Sequence, residues 1–157
     1  MTIALGNDHC GYPLKSDVIS ILESLGLDLI DHGCHSTDPV DFPVIVGDVC
    51  RTVNDGRADR GLLLCGTGIG AAMAANKTPG IRAGLCHDTY SAHQGVEHDD
   101  MNVMCIGAMI VGPWLARDLI TAYVNARFSG SEEFRRRVGM LNDLDAAMKR
   151  PGKKEDM

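Results

Sequence analysis

The fold is decided by the stretch Leu62-Leu63-Leu64-Cys65-Gly66-Thr67-Gly68-Ile69-Gly70 and the small residues that follow it, 71–75. The three leucines predict a short strand buried on both faces, which is typical of a parallel sheet. The alternating glycines predict a turn, and the alanine-rich run after them favours a helix. A strand, a glycine turn (residues 66–70) and a helix N-terminus together present backbone N–H groups that suit an anion or an oxyanion.

Cys65 stands where the predicted strand ends and the glycine turn begins. A thiol at this place is expected to have a pKa lowered by the helix dipole and to lie in a crevice, as a reactive cysteine requires. The alternative is structural, because buried cysteines are usually inert and glycine turns also serve packing. A dinucleotide site is disfavoured because the turn reads GxGxG rather than GxGxxG, no acidic residue follows about twenty positions on, and the Walker lysine is absent.

Length and charge restrict the class of protein. The chain has 157 residues and a net charge of −6, which suits one domain (expected at 1–150, with a disordered tail at 151–157) and argues against a nucleic-acid partner. No apolar run approaches the roughly 18 residues that cross a membrane. The six cysteines form no CxxC pair, which is typical of reduced thiols, so we expect a soluble cytoplasmic protein.

Five short apolar segments are predicted strands, namely 2–5, 27–30, 62–64, 82–86 and 103–106. Helical patterns lie between them, so the sequence predicts an α/β fold, a Rossmann-like three-layer α/β/α sandwich with a five-stranded parallel sheet. Ligands of such sheets bind at the carboxyl ends of the strands. The residues expected on that rim are Asp8, His9, Asp41, Cys65, Thr67, His87 and, as the last candidate, His98.

A last helix is predicted after residues 129–132, where Ser129 and Glu132 have the spacing of a helix start. Its apolar stripe consists of Phe134, Val138, Leu141, Leu144 and Met148. Such a helix can dock on its own sheet or on a partner subunit. We expect a partner subunit, because the faces of the sheet already have helices.

Five motifs resemble those of the ribose-5-phosphate isomerase B family, which also includes allose-6-phosphate and galactose-6-phosphate isomerases. They are Gly6-Asn7-Asp8-His9-Cys10-Gly11, Asp41-Phe42-Pro43, Cys65-Gly66-Thr67-Gly68-Ile69-Gly70, Ala74-Ala75-Asn76-Lys77 with Gly80-Ile81-Arg82-Ala83, and His98-Asp99-Asp100-Met101-Asn102-Val103. The resemblance runs from residue 3 to about residue 144. The combination of CGTGIG with AANK is highly specific to this family.

The resemblance implies an aldose–ketose isomerase that needs no metal and no cofactor and works through a cis-enediolate. By analogy with the family, Cys65 is the base, and Thr67 and His98 serve sugar-ring opening. The positions that match its substrate-binding residues are Asp8, His9, Asp41, Phe42, Gly66, Gly68, Ile69, Gly70, Asp99 and Arg137. The family forms dimers or tetramers with sites at the dimer interface, so a homodimer or homotetramer acting on a sugar phosphate is expected.

Several departures from the family pattern concern the substrate. Phe42 replaces the usual tyrosine, Asp99 replaces an amide, and Met109 and Glu133 stand where arginines that hold the phosphate are expected. Because charge-assisted contacts to phosphate are strong, their loss weakens the grip on a distal phosphate. Besides ribose 5-phosphate, a tetrulose phosphate or an unphosphorylated sugar therefore fits.

Two further alternatives stay open. Asp31, His32, Cys34 and His35 have the alternate spacing of metal ligands, although a packed or solvated loop is the simpler interpretation. The chain is also compatible with a catalytically altered homologue that binds a sugar phosphate or a nucleotide as a sensor or accessory subunit. The remaining cysteines are expected in the core, namely Cys10, Cys50, Cys86 and Cys105.

Overall fold

A parallel sheet with the strand order β2-β1-β3-β5-β4 forms the centre of the protein. The computed structural model describes residues 1–148, so the predicted tail at 151–157 lies outside the described residues. The strands are β1 (Thr2–Asn7), β2 (Asp28–Asp31), β3 (Arg60–Cys65), β4 (Ala83–Leu85) and β5 (Val103–Gly107). The helices are α1 (Tyr12–Ser24), α2 (Phe42–Asn54), α3 (Ile69–Ala75), α4 (Thr89–Asp99), α5 (Pro113–Asn125) and α6 (Glu132–Met148).

The predicted α/β fold is confirmed, and β3 is its central strand. The side chains of Leu62 and Leu64 enter the core cluster that also contains residues of α1 and α5. Leu63 enters the opposite cluster, with residues of α2 and α3. Burying both faces of β3 in this way removes three leucines from water, each contributing about 1.5–3 kcal/mol.

Two helix limits differ from the sequence prediction. The helix after the glycine turn ends at Ala75 rather than near residue 78, and α4 continues to Asp99 rather than ending at Gly95. Gly95 lies inside α4, where the Met101 sulfur occupies the space of a side chain and would be 3.2 Å from an added Cβ. The glycine therefore serves close packing inside the helix.

The apolar stripe of α6 is only partly covered. Phe134 is half-buried and Val138 is buried against the rest of the chain, whereas Leu144 is 63% exposed. The first turns of α6 thus dock on their own chain, next to α4. That the helix reaches a partner subunit stays a prediction.

None of the helices within residues 1–148 has both the length and the apolar composition that crossing a membrane requires.

Candidate active site at the carboxyl edge of the sheet

Cys65 is the last residue of β3 and pairs with Gly107 of β5. The neighbouring strand β1 pairs with β3 on the other side, so that the residue after β1, Asp8, donates its backbone N–H to the Leu64 carbonyl at 3.2 Å. Asp8 and Cys65 therefore lie side by side, although 57 positions separate them in the sequence. Cys65 is half-buried.

The glycine turn requires glycine at its centre. Gly68 has a φ of +79°, and a Cβ there would lie 2.5 Å from Leu85 Cδ1. A second loop braces the turn, since the N–H groups of Ala108 and Met109 donate to the carbonyls of Cys65 and Gly66 at 2.8 and 3.0 Å. This bracing holds the N–H groups of the turn in fixed directions beside the thiol.

The N–H groups of Gly66 and Gly68 lie beside the sulfur of Cys65 and act to lower the pKa of its thiol. Burial acts in the opposite direction and is the largest influence, and the adjacent Asp8 carboxylate raises the pKa further. The net result is a pKa above that of an ordinary cysteine. The expectation that the helix dipole lowers this pKa is wrong, because burial of the thiol outweighs the effect of the N–H groups and the Asp8 charge raises the pKa further.

Asp8 and His9 are held by backbone hydrogen bonds. Asp8 is 5% exposed, and its Oδ1 accepts the N–H of Gly11 at 2.8 Å. Nδ1 of His9 accepts the N–H of Val40 at 3.2 Å, which ties the loop after β1 to the segment before α2. Both side chains are thereby fixed at the same edge of the sheet as Cys65.

Asp41 and Phe42 come to this edge with the start of α2. Asp41 is the exposed residue before the helix, and it makes no side-chain cap. The Phe42 ring packs on the glycine turn, where a Cβ on Gly70 would lie 3.0 Å from Phe42 Cζ. Asp8, Phe42 and Cys65 also line a cavity of about 10 Å³, so a sugar has to bind on the open side of the turn.

Cys10 lies in the site rather than in the core, and the sequence prediction for it is wrong. It is half-buried, and a Cβ on Gly66 would lie 3.3 Å from Cys10 Cβ and 3.8 Å from its Sγ. Strand β1 ends before Cys10, so the thiol lies at the rim of the sheet. Its position directly after Asp8 and His9 was a signal for this placement. Cys50, Cys86 and Cys105 are buried, as predicted.

His98 lies at the opposite edge of the sheet from Cys65. The prediction that it lies on the same rim of the same chain is therefore wrong. It lies near the end of α4, which runs back to the amino edge, where the Asn102 carbonyl accepts the N–H of Gly61 at 2.8 Å. Four residues of β3 separate that edge from Cys65, which is roughly 13 Å of strand. His98 stacks on Phe134 at 4.1 Å between ring centroids.

Asp99 and Arg137 belong to the same region as His98. The Arg137 guanidinium lies 5.7 Å from the centre of the Phe134 ring. Asp99 lines a cavity between β4 and α6 together with Arg82 and Leu141. We call His98, Asp99, Phe134 and Arg137 the α4–α6 cluster.

The loop 31–35 is a packed loop, the simpler of the two interpretations of its sequence. Asp31 pairs with Lys15 at 2.8 Å, and Nε2 of His32 lies 2.8 Å from the Thr52 hydroxyl. The Cys34 carbonyl accepts a hydrogen bond from the same Lys15. Within residues 1–148, the potential metal-ligand atoms that converge belong instead to Asp8, His9 and Cys10.

Comparison with known proteins identifies the family. The sequence profile described as Ribose/Galactose Isomerase matches residues 3–141. The chain belongs to this family.

Members of the Ribose/Galactose Isomerase family resemble the chain over most of its length. Ribose-5-phosphate isomerase B of Escherichia coli K12 is 39% identical over 134 residues, which cover 85% of this chain and 90% of that protein. D-erythrulose-4-phosphate isomerase of Pectobacterium atrosepticum is 39% identical over 132 residues, covering 83% and 86%. The solved structure of Clostridium thermocellum ribose-5-phosphate isomerase B superimposes with a TM-score of 0.92 at 38% identity, covering 95% of this chain and all of that one.

As a Ribose/Galactose Isomerase family member, the chain divides its candidate site residues between two places. The carboxyl edge holds Asp8, His9, Asp41, Phe42, Cys65, Gly66, Thr67, Gly68, Ile69 and Gly70. The α4–α6 cluster holds His98, Asp99 and Arg137. His87 also reaches the carboxyl edge, where its Nε2 accepts the N–H of Gly107 at 3.0 Å.

Proposed function

We propose that the chain is an aldose–ketose isomerase that interconverts the two forms of a sugar phosphate through a cis-enediolate, with Cys65 as the base and no metal or cofactor. The observation that carries this proposal is the thiol of Cys65 beside the fixed N–H groups of Gly66 and Gly68. The names of the Escherichia coli and Pectobacterium atrosepticum relatives, both sugar-phosphate isomerases, support the same class of reaction.

The chemistry needs one proton to move between neighbouring carbons and a second proton to move from the hydroxyl oxygen of one carbon to the carbonyl oxygen of the other. The Cys65 thiolate removes the proton from the carbon next to the carbonyl, and the resulting thiol returns it to the former carbonyl carbon. Negative charge develops on the enediolate oxygen, which the N–H groups of the glycine turn stabilise. Asp8 and His9 bind substrate hydroxyls or the phosphate, and Thr67 serves ring opening.

The second part of the proposal concerns assembly. We propose a homodimer or homotetramer in which the α4–α6 cluster of one copy completes the carboxyl edge of another. Its support is that His98, Asp99 and Arg137 lie on the opposite edge of the sheet from Cys65 within one chain. We further propose a cytoplasmic enzyme whose single domain spans 1–150.

The loop after β5 limits the length of the sugar phosphate that the site accepts. Met109 is largely exposed, and its Sδ would lie 3.4 Å from a Cβ on Gly66. An apolar side chain at this place gives the substrate no charge-assisted contact and reduces the space above the turn. We therefore propose a four-carbon sugar phosphate ahead of ribose 5-phosphate, which agrees with the name of the Pectobacterium atrosepticum relative.

A coupled assay of four- to six-carbon aldose and ketose phosphates tests the reaction. We expect turnover by the wild-type chain and a loss of about 10²–10⁴-fold in kcat for Cys65→Ala, because a positioned base contributes this much. Cys34→Ala is the matched control, since Cys34 is also half-buried but lies in the packed loop. Full activity of Cys65→Ala would contradict the proposed base.

A second candidate is a member of the family that binds a sugar phosphate without turning it over. The raised pKa of the Cys65 thiol, which leaves little thiolate at neutral pH, favours this candidate. Saturable binding of the same sugar phosphates in calorimetry, with no interconversion by the wild-type chain, would identify it.

A further inference from the structure

We propose that Asp8, His9 and Cys10 form an inhibitory binding site for a thiophilic divalent cation of the Zn²⁺ class. One potential ligand atom from each of these residues lies within 4.8 Å of the other two. The binding of the cation stands on this geometry alone. The inhibition rests on the proposed function.

The donor set suits such a cation. A carboxylate oxygen, an imidazole nitrogen and a thiolate sulfur are the three kinds of ligand that Zn²⁺ takes in proteins. Bond lengths of about 2.0–2.3 Å in a tetrahedral site place neighbouring ligand atoms roughly 3.3–3.8 Å apart. Side-chain rotations that move the ligand atoms by about 1 Å therefore bring them to bonding distance of one ion, and the fourth coordination position stays open for water.

The backbone around the cluster is already fixed. The Asp8 N–H donates to the Leu64 carbonyl, and the Asp8 carbonyl accepts the N–H groups of Gly11 and Tyr12. Oδ1 of Asp8 accepts a further hydrogen bond from Gly11, which orients the carboxylate as ligating carboxylates are usually oriented, and an ion has to displace the Cys65 thiol from this carboxylate. Little backbone order has to be created when the ion binds.

The charge of the cluster also favours a divalent cation. When the ion binds, Cys10 releases its proton to solvent, so that its thiolate and Asp8 together carry two negative charges. None of the ion pairs formed within residues 1–148 involves Asp8. A bound Zn²⁺ makes the trio neutral. Nδ1 of His9 accepts the Val40 N–H at 3.2 Å, so an ion bound through Nδ1 has to replace this hydrogen bond, whereas an ion bound through Nε2 leaves it in place.

Occupancy of this site blocks the reaction. Asp8 and His9 are the groups that the proposed function assigns to the substrate, and Asp8 also touches the thiol of Cys65. An ion bound to both takes their lone pairs away from the sugar phosphate. Inhibition is therefore expected to be competitive with the substrate and reversed by a chelator.

Calorimetric titration of the metal-free full-length chain with ZnCl₂ tests the binding, and Co²⁺ absorption tests the thiolate ligand. We expect one ion per chain, a sulfur-to-cobalt charge-transfer band, and an affinity at least tenfold weaker, without the band, in Cys10→Ala and Cys10→Ser. Cys34→Ala is the control and is expected to bind as the wild type does. Isomerase assays of Cys10→Ala, each compared with that variant's own zinc-free rate, are expected to show a tenfold higher inhibitory zinc concentration.

Three outcomes would overturn the proposal. They are no binding to the wild-type chain, unchanged affinity in both Cys10 variants, and a loss of binding in Cys34→Ala equal to that in Cys10→Ala. The binding experiments do not depend on turnover. A chain without isomerase activity would thus contradict the proposed function, while its zinc affinity would still decide the metal site.

Discussion

The thiol of Cys65 lies between backbone N–H groups that favour its anion and a carboxylate that opposes it. Burial and Asp8 together prevail, so the thiolate is a minor species at neutral pH but a stronger base when it forms. Burial is the larger influence, and Asp8 further reduces how much active base is present. Through the pKa of Cys65, the Asp8 carboxylate affects the rate of the proposed proton transfer.

We expect alkylation of Cys65 by iodoacetamide to rise through the alkaline range, with a midpoint above that of an ordinary cysteine, because only the thiolate reacts. In Asp8→Asn the midpoint is expected to fall, since the substitution removes the charge that raises the pKa but keeps an acceptor for the Gly11 N–H. Peptide mass spectrometry with EDTA present measures the rate at each pH. The same midpoint in both proteins would show that Asp8 does not control the thiol.

The sequence predicts the position of Cys65 but not the direction in which its pKa is shifted. Local spacing places the thiol after a buried strand and before a glycine turn, and this prediction is confirmed. The contact with Asp8 depends instead on the pairing of β1 with β3, a long-range contact that local patterns do not contain. Cys10 was placed in the core for the same reason.

At the scale of elements, the connection from β3 to α3 depends on Gly68. We expect Gly68→Ala to destabilise the fold by more than about 2 kcal/mol and to reduce turnover, because an alanine there is strained at φ +79° and meets Leu85. Gly47→Ala is the control, since a Cβ at this position in α2 meets nothing within 4 Å. Its expected effect in urea unfolding is neutral or stabilising by up to about 1 kcal/mol.

The ion pair between Lys15 and Asp31 joins α1 to the end of β2. The Lys15 side chain is 6% exposed, and its Nζ also donates to the Cys34 carbonyl at 3.0 Å. We expect Asp31→Asn to lower the free energy of unfolding by about 3 kcal/mol, because it leaves a buried cation without its charged partner. Asp48→Asn breaks the exposed pair with Arg51 and is expected to change it by less than about 1 kcal/mol. Equal effects in denaturant melts would contradict this difference.

Element type was more predictable from the sequence than element length. Apolar runs and helical periodicity indicate all five strands and the helices between them, because both patterns are local. The true end of α4 could not be predicted, since Gly95 is a helix breaker by propensity and only the packing of Met101 explains its place. Ending that helix early also hid where His98 lies.

At the scale of the whole molecule, the two groups of candidate residues face different edges of one sheet. A helix that follows a parallel strand returns to the amino edge, so the full length of α4 carries His98 away from Cys65. Side-chain rotation cannot span roughly 13 Å of strand. If His98 takes part in the reaction, the second copy of the chain has to supply it.

Complementation between two inactive variants tests the shared site. Cys65→Ala and His98→Ala homodimers are each expected to be nearly inactive, whereas a heterodimer of the two has one intact site. Random exchange of equal amounts places half of the chains in heterodimers, so about a quarter of the wild-type activity is expected to return in a symmetric dimer.

The control is a mixture of Cys65→Ala with Thr67→Ala, because these two residues lie on the same loop of one chain. Exchange between them creates no intact site, and no recovery is expected. Recovery confined to the Cys65 and His98 pair means that each site takes its base from one copy and its histidine from the other. Absence of recovery after verified subunit exchange would contradict a site shared between two copies. Because His98 lies at the amino edge of its own chain, it would then be a structural residue that stacks on Phe134.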